Sequence, residues 1–427
     1  MKILHINKSH EKGGAAKIAR RLHKGFLDLG IDSSMLVDES LNGEEKIYGL
    51  TTFLDEAKHR LRKKLDNLPL RRYSSGVNTF DPGFWGRILV NHPLIKQADI
   101  LHFHWINAGF ISIKQIKKLN ELGKPIVWTL HDMWPITGGC HHARNCDKFK
   151  THCGTCPQLF SSKEKDLSYY FFKRKLEAYS SNIHPVAISN WMKDSIKQSK
   201  LFKNQHVSLI HNGLDINVFS PVNKAFAKQL LNIPKEKKII SFGAMNATSD
   251  PKKGFTYLIK ALELVNNKYG DDVFLLVFGN NAPSLVDVKG SNIKFMGTIR
   301  DDYSMSLLYN ASDVFVGPSL VESFGLTHLE SMSCGTPVVA FNSSGPKELI
   351  DHKKNGYLAD YRDTQDLAEG IKWCIEDKER NHKLGLSARE KVEQLYSLES
   401  CLDKYLSLYQ SLLHGTKSPV KEPIDVE

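Results

Sequence analysis

Pro318-Ser319-Leu320-Val321-Glu322-Ser323-Phe324-Gly325-Leu326-Thr327 follows an apolar run ending at Val316 and opens a helical pattern that carries Glu330. Strand, loop and helix are written in one stretch, which closes on Gly335-Thr336-Pro337. A helix N-terminus exposes N–H groups with no partner inside the helix, and it is the positive end of the helix dipole. Both properties suit a diphosphate. Gly325 lets a phosphate come close to the backbone. Glu322 stands ahead of the helix and Glu330 on it. Two carboxylates would repel the phosphate itself, so they make sense if they reach past it to hydroxyls, one on a sugar and one on a ribose. The plainer alternative is a capped, solvated helix start with incidental acids.

Working outward, strands are predicted at Ile239–Phe242, Val273–Phe278, Lys294–Met296, Val314–Val316 and Pro337–Ala340, with helices at Phe255–Asn267, Tyr303–Ala311 and Gly325–Ser333. An earlier cycle offers strands at Lys2–Asn7, Ser34–Val37, Ile100–His104, Ile126–Leu130, Val186–Ser189 and Ser208–Ile210, with helices at Ala15–Leu29 and Ile111–Leu122. Short apolar runs separated by helical patterns indicate parallel sheets with crossovers. The pattern lapses around Asn217–Lys228, where Pro221 interrupts it. The expected architecture is α/β, two tandem Rossmann-like domains with the ligand cleft between their strand ends. The first would span residues 1–217 and the second 218–394. A helix over 395–413 would pack back on the first domain, and the polar tail 414–427 is expected to be disordered.

The bulk numbers agree with this. A chain of 427 residues exceeds one ordinary core, and 41 % hydrophobic with 25 % charged residues is a globular composition. No stretch approaches the roughly 20 apolar residues of a membrane span. Met1–Asn7 is too short for a signal-peptide core and has no cleavage site behind it, so a cytoplasmic protein is expected. The net charge of +11 favours polyanionic partners. Bases gather in residues 54–72, where Lys58, Arg60, Arg62, Lys63, Lys64, Arg71 and Arg72 interleave with Leu54, Leu61, Leu65 and Leu68. That pattern suits a basic amphipathic helix lying on an anionic membrane surface, or a solvated helix with its leucines in the core.

Glu322 and Glu330, with Phe324-Gly325-Leu326 between them, form a Glu-x7-Glu pattern. Ala311-Ser312-Asp313-Val314 precedes it and Gly335-Thr336-Pro337-Val338-Val339 follows. Ile210-His211-Asn212-Gly213-Leu214-Asp215, Phe219, Pro221 and Asn355-Gly356-Tyr357 complete the series. In these motifs, taken in this order, the chain resembles glycosyltransferase family 4, retaining enzymes of GT-B architecture. The resemblance implies transfer of a hexose-type sugar from a nucleotide-diphosphate donor to a glycan or lipid-linked glycan, at a bacterial membrane's inner face, without a catalytic metal. It implies that Glu322 contacts the donor sugar and Glu330 the ribose. Amides around Gly325, Leu326 and Thr327 would bind the diphosphate, and Lys253 would neutralise the departing phosphate. The family arginine that follows the glycine closing the first strand of this half is missing, since Gly243 is followed by Ala244-Met245-Asn246. In the first half, Gly13 and Gly14 at a strand–helix turn and His131 in Thr129-Leu130-His131-Asp132 become site candidates by the same resemblance. Read alone, a Gly-Gly pair means tight packing and a histidine at a strand end a structural role.

Cys140, Cys146, Cys153 and Cys156 fall within seventeen residues, in an insertion over 138–158. The closing Cys-x2-Cys suits tetrahedral zinc. Free or redox-active thiols and disulfides stay open, disulfides being the less suited to a cytoplasmic protein. The insertion resembles one in bacterial polysaccharide glycosyltransferases. Cys334, Cys374 and Cys401 lie in helical patterns and read as core. Two rival functions compete. A nucleotide-sugar epimerase or a phosphorylase would share the fold, but no context for a pyridoxal-phosphate lysine is evident. A nucleic-acid-binding protein would explain the bases and the knuckle, but the lysines are dispersed and no nucleic-acid motif appears.

Overall fold

The computed structural model describes residues 1–39, 45–50, 61–62, 64–73, 80–279 and 292–415. The chain forms two compact units. Met1–His211 with the stretch from Glu399 onward makes the first, and Asn212–Leu398 the second. The tail from 416 onward lies outside the described residues.

The first unit holds a seven-stranded sheet in the order β3-β2-β1-β4-β5-β6-β7. Its strands are β1 (Lys2–Asn7), β2 (Asp32–Val37), β3 (Ile47–Gly49), β4 (Ile100–Phe103), β5 (Ile126–Leu130), β6 (Ile183–Ala187) and β7 (Ser208–Leu209). Every pairing is parallel. The central strands are buried on both faces, which is why they read as unbroken apolar runs. Helix α1 (Gly14–Asp28) returns the chain from β1 to β2 and buries Ile18, Leu22 and Phe26 at helical spacing. The C-terminal helix Leu398–His414 packs in this unit. Leu402 lies where a Cβ at Gly25 of α1 would fall. Tyr405 and Tyr409 reach into the sheet and bond Thr129 Oγ1 and His102 Nδ1 at 2.7 Å each.

The second unit holds a six-stranded parallel sheet in the order β10-β9-β8-β11-β12-β13. Its strands are β8 (Lys238–Gly243), β9 (Val273–Phe278), β10 (Asn292–Phe295), β11 (Val314–Gly317), β12 (Val338–Phe341) and β13 (Gly356–Ala359). Helix α2 (Phe255–Tyr269) follows β8, and α3 (Leu326–Ser333) follows β11. Both sheets are doubly wound, so the strand order reverses between β1 and β4 in one unit and between β8 and β11 in the other. Ligands of such sheets bind beyond the carboxyl ends of the strands at that reversal.

One expected strand moves. Val186–Ser189 starts earlier, at Ile183, because Ser189 instead caps the next helix by accepting the Met192 N–H. The helix expected across 54–72 does not run that far. Pro69 converts Leu68–Arg72 into a 3-10 turn, and residues 51–60 and 63 lie outside the described ones. Arg62 is turned toward Asp38 at 3.5 Å. Leu61 and Leu68 are exposed rather than in the core.

Candidate functional site

In the second unit the stretch that opened the sequence reading leaves β11 at the sheet's reversal point and enters α3 through Gly325. That glycine is the N-cap, at φ 104°, a conformation that disfavours any side chain. The first bond within the helix is Leu329 N–H to Gly325 O, 3.0 Å, so the N–H groups of Leu326, Thr327 and His328 precede it. Leu326 and Thr327 are partly exposed, whereas Phe324 is buried against Tyr396. Phe324 therefore does not line the site with its side chain as expected. His328 is buried under the loop and donates from Nε2 to Gly317 O at 3.1 Å. Its ring occupies the space where side chains at 317 and 325 would sit.

Two further segments brace the loop. Leu320 N–H bonds Lys252 O at 2.8 Å, and Gly254, at φ 75°, lies so close to Pro318 that a Cβ would run into its carbonyl. On the other side Ser344 Oγ accepts the Glu322 N–H at 3.1 Å, and Gly345 N–H donates to Glu322 O at 2.9 Å. Lys253 Nζ reaches Glu322 Oε2 at 2.7 Å, with both side chains about a quarter exposed (23 and 24 %). Burial alone would lower the lysine's pKa, but Glu322 outweighs it and holds the ammonium above its ordinary value. Lys253, Glu322 and the open amides of α3 thus form one group. Glu330, by contrast, is 1 % exposed and accepts from Tyr309 OH at 3.2 Å. The loop after Gly243 turns through Asn246 at φ 57°, and Lys252 pairs with Asp250 at 3.6 Å. A cavity of about 810 Å³ in this unit lies elsewhere, among Lys224, Lys228, Lys238 and Arg389. Those cations are engaged by Asp313 and by backbone carbonyls, which marks a structural cluster.

In the first unit Gly13 is the N-cap of α1 at φ 92°, and Ser9 Oγ accepts the Lys12 N–H at 3.0 Å to shape the loop before it. The first helical bond, Lys17 N–H to Gly13 O, leaves the N–H groups of Gly14, Ala15 and Ala16 ahead of it. His131 follows β5 and meets His104 at 3.1 Å. Burial drives its pKa down to about 4 against the pull of Asp132, so it is neutral near pH 7. Burial would raise Asp132, but His141, at 2.7 Å, and the Trp134 N–H hold it down at about 2. Trp105 Nε1 also donates to Asp132, at 2.9 Å.

Cys140, Cys146, Cys153 and Cys156 are free thiols lining one cavity of about 20 Å³. Gly138 N–H donates to Cys153 Sγ at 3.2 Å. Their sulfurs are more widely spread than metal ligands. Among the described residues, the one group of three or more candidate ligand atoms lying within 4.8 Å of one another is His5, His102 and His104. Cys334, Cys374 and Cys401 are buried.

Comparison with known proteins now bears on this geometry. Residues 12–218 match the family described as Glycosyltransferase Family 4, and residues 223–391 match Glycosyl transferases group 1. The chain belongs to the group 1/family 4 glycosyltransferase superfamily. This glycosyltransferase is 25 % identical to the putative colanic acid biosynthesis glycosyl transferase WcaC of Escherichia coli, over 96 % of its own length and all of that protein's. It is 26 % identical to N-acetyl-alpha-D-glucosaminyl L-malate synthase of Bacillus anthracis, over 50 % of the chain and 56 % of the synthase. Solved structures show the same fold. Sucrose-phosphate synthase of Thermosynechococcus elongatus gives a TM-score of 0.68 at 18 % identity, over 97 % of this chain and all of that one. Anabaena HepE in complex with UDP and glucose gives 0.64 at 18 %, over 96 % of this chain and all of that one. The glycosyltransferase therefore has two Rossmann-like domains of the GT-B class. No helix among its described residues is long and apolar enough to cross a membrane.

Proposed function

We propose that this glycosyltransferase takes a hexose-type sugar from a nucleotide-diphosphate donor and passes it, with retention, to a lipid-linked or growing surface glycan. The observation that carries the donor reading is the group formed by the open amides of α3, the Lys253–Glu322 pair and the loop between them. A nucleoside diphosphate on those amides would place its departing charge beside Lys253. Glu322 would then hold a hydroxyl of the sugar. In the retaining step the C1–O bond to phosphate breaks and a bond to the acceptor oxygen forms on the same face. The acceptor's proton goes to the departing phosphate oxygen, so no covalent enzyme nucleophile is required. Glu330 serves the ribose in this reading, and since a carboxylate accepts several hydrogen bonds it can keep the Tyr309 hydroxyl on Oε2 while doing so. The WcaC relative's role in colanic acid synthesis supports a surface-glycan acceptor, and binding of UDP and glucose by HepE supports the donor class. Kinetics of two variants test the reading. Glu322→Ala should lower kcat on the order of a hundredfold with little change in donor KM, and Glu330→Ala should chiefly raise donor KM. Wild-type constants in both variants would refute the site.

For the insertion we propose a structural, non-catalytic zinc held by Cys140, Cys146, Cys153 and Cys156. Four thiols around one small cavity fit that ion in kind and number, and the side chains would have to turn inward to ligate it. Lys175 supports the reading. It is fully buried, and its ammonium donates to two carbonyls, Trp134 O at 2.5 Å and Thr137 O at 3.0 Å. Thiolates formed on a metal would supply the countercharge that a buried ammonium needs. Elemental analysis of protein purified reduced and without chelator should find one zinc per chain. Finding none would refute the proposal.

A further inference from the structure

Three histidines run as a chain through the interior of the first sheet. His131 Nε2 meets His104 Nδ1 at 3.1 Å, and His104 Nε2 meets His5 Nδ1 at 3.1 Å. The rings stack in sequence, with centroids 5.4 Å apart at each step. The parallel register sets this up, because His5 on β1 lies directly beside His102 on β4, and His104 and His131 follow at the ends of β4 and β5. His5 and His104 are buried, and among the described residues His5 Nε2 has no hydrogen-bond partner. Ligand atoms of His5, His102 and His104 lie within 4.8 Å of one another, but hydrogen bonds already take up the nitrogens of two of these rings. His102 uses both nitrogens, on Thr129 Oγ1 at 2.8 Å and Tyr409 OH at 2.7 Å, and His104 uses both on its two neighbours.

A neutral imidazole has one N–H and one lone pair, so three rings joined by two bonds must all point the same way. If the chain ran inward, His5 Nε2 would carry a hydrogen with no acceptor. If it runs outward, that atom is a bare lone pair. An orphaned buried N–H is the rarer of the two in folded proteins. In the outward run His131 accepts at Nε2 from His104 and therefore carries its hydrogen on Nδ1. We propose that His104, backed by His5, is a positioning residue that locks His131 as its Nδ1–H tautomer, so that His131 serves transfer as a hydrogen-bond donor and not as a base. The tautomer follows from the chain alone, whereas its use in catalysis rests on the proposed transfer reaction and on His131 belonging to its site, as the family resemblance implies.

Long-range 1H–15N correlation of histidine-labelled full-length protein reads the tautomer directly, since the nitrogen that carries the hydrogen is set by the partner of the other one. The wild type should show His131 protonated at Nδ1 and bare at Nε2. His104→Phe should release it to a mixture or to the Nε2–H form, with kcat lower on the order of tenfold at unchanged donor KM. His104→Asn, whose amide N–H takes the place of Nδ1, should restore both. Nε2–H on His131 in the wild type overturns the proposal outright, even if the variants fail to fold. An unchanged tautomer in a folded His104→Phe also overturns it. A wild-type kcat in His131→Ala, with the tautomer as expected, overturns instead the placing of His131 in the reaction.

Discussion

Gly254 shows how much of the site one position controls. Its left-handed backbone and its approach to the Pro318 carbonyl let the Lys252–Gly254 segment lie against the loop that carries Glu322. Gly254→Ala should cost about 1 kcal/mol for the conformation alone, and more for the displaced loop. We expect a melting temperature lower by roughly 2–4 °C or more for a unit of this size, together with weaker nucleotide binding in the same titration. An unchanged melting temperature and affinity would mean that the brace is not needed. Lys253, Glu322 and Glu330 could be picked out from residue type and spacing, because the chemistry is carried by local order along the chain. Ser344, Gly345 and His328 could not, because the partners that give them meaning lie across the fold. That Glu330 is buried and bonded to Tyr309 was likewise invisible, since burial is decided by how α3 packs.

Elements were legible where burial is two-sided. β1, β5 and β9 coincide with their apolar runs, whereas β3 and β13 are three and four residues long, too short to leave a periodic signal. Segment 61–72 shows the limit of pattern reading. Its leucines and bases repeat at helical spacing, yet Pro69 breaks the helix and Arg62 turns to Asp38. What remains outside is Leu61, Leu68, Lys64, Arg71 and Arg72, all exposed. We propose that this face meets an anionic membrane, at about 1 kcal/mol for each base near the surface. Reversing the charge of Lys64, Arg71 and Arg72 together should abolish co-sedimentation with phosphatidylserine vesicles at low salt. Undiminished co-sedimentation would remove the membrane reading, with Lys12→Glu, remote in sequence, as the control expected to sediment normally.

At the scale of the molecule, two doubly wound sheets each place a glycine-capped helix start beyond the strand at their own reversal point, Gly13 in one unit and Gly325 in the other. The tandem alternation made that architecture readable, and the family match covers both halves. What the pattern could not give is the identity of the base, the sugar and the acceptor, which depend on loop side chains that no periodicity marks. The central claim is that the turn entering α3 holds the donor's diphosphate. The most direct test is a crystal structure with whichever of UDP, GDP, ADP or TDP gives the largest thermal shift. The account predicts phosphate oxygens within hydrogen-bond reach of the Leu326 and Thr327 amides, beside Lys253. A diphosphate bound anywhere else, with that turn bare, would contradict it.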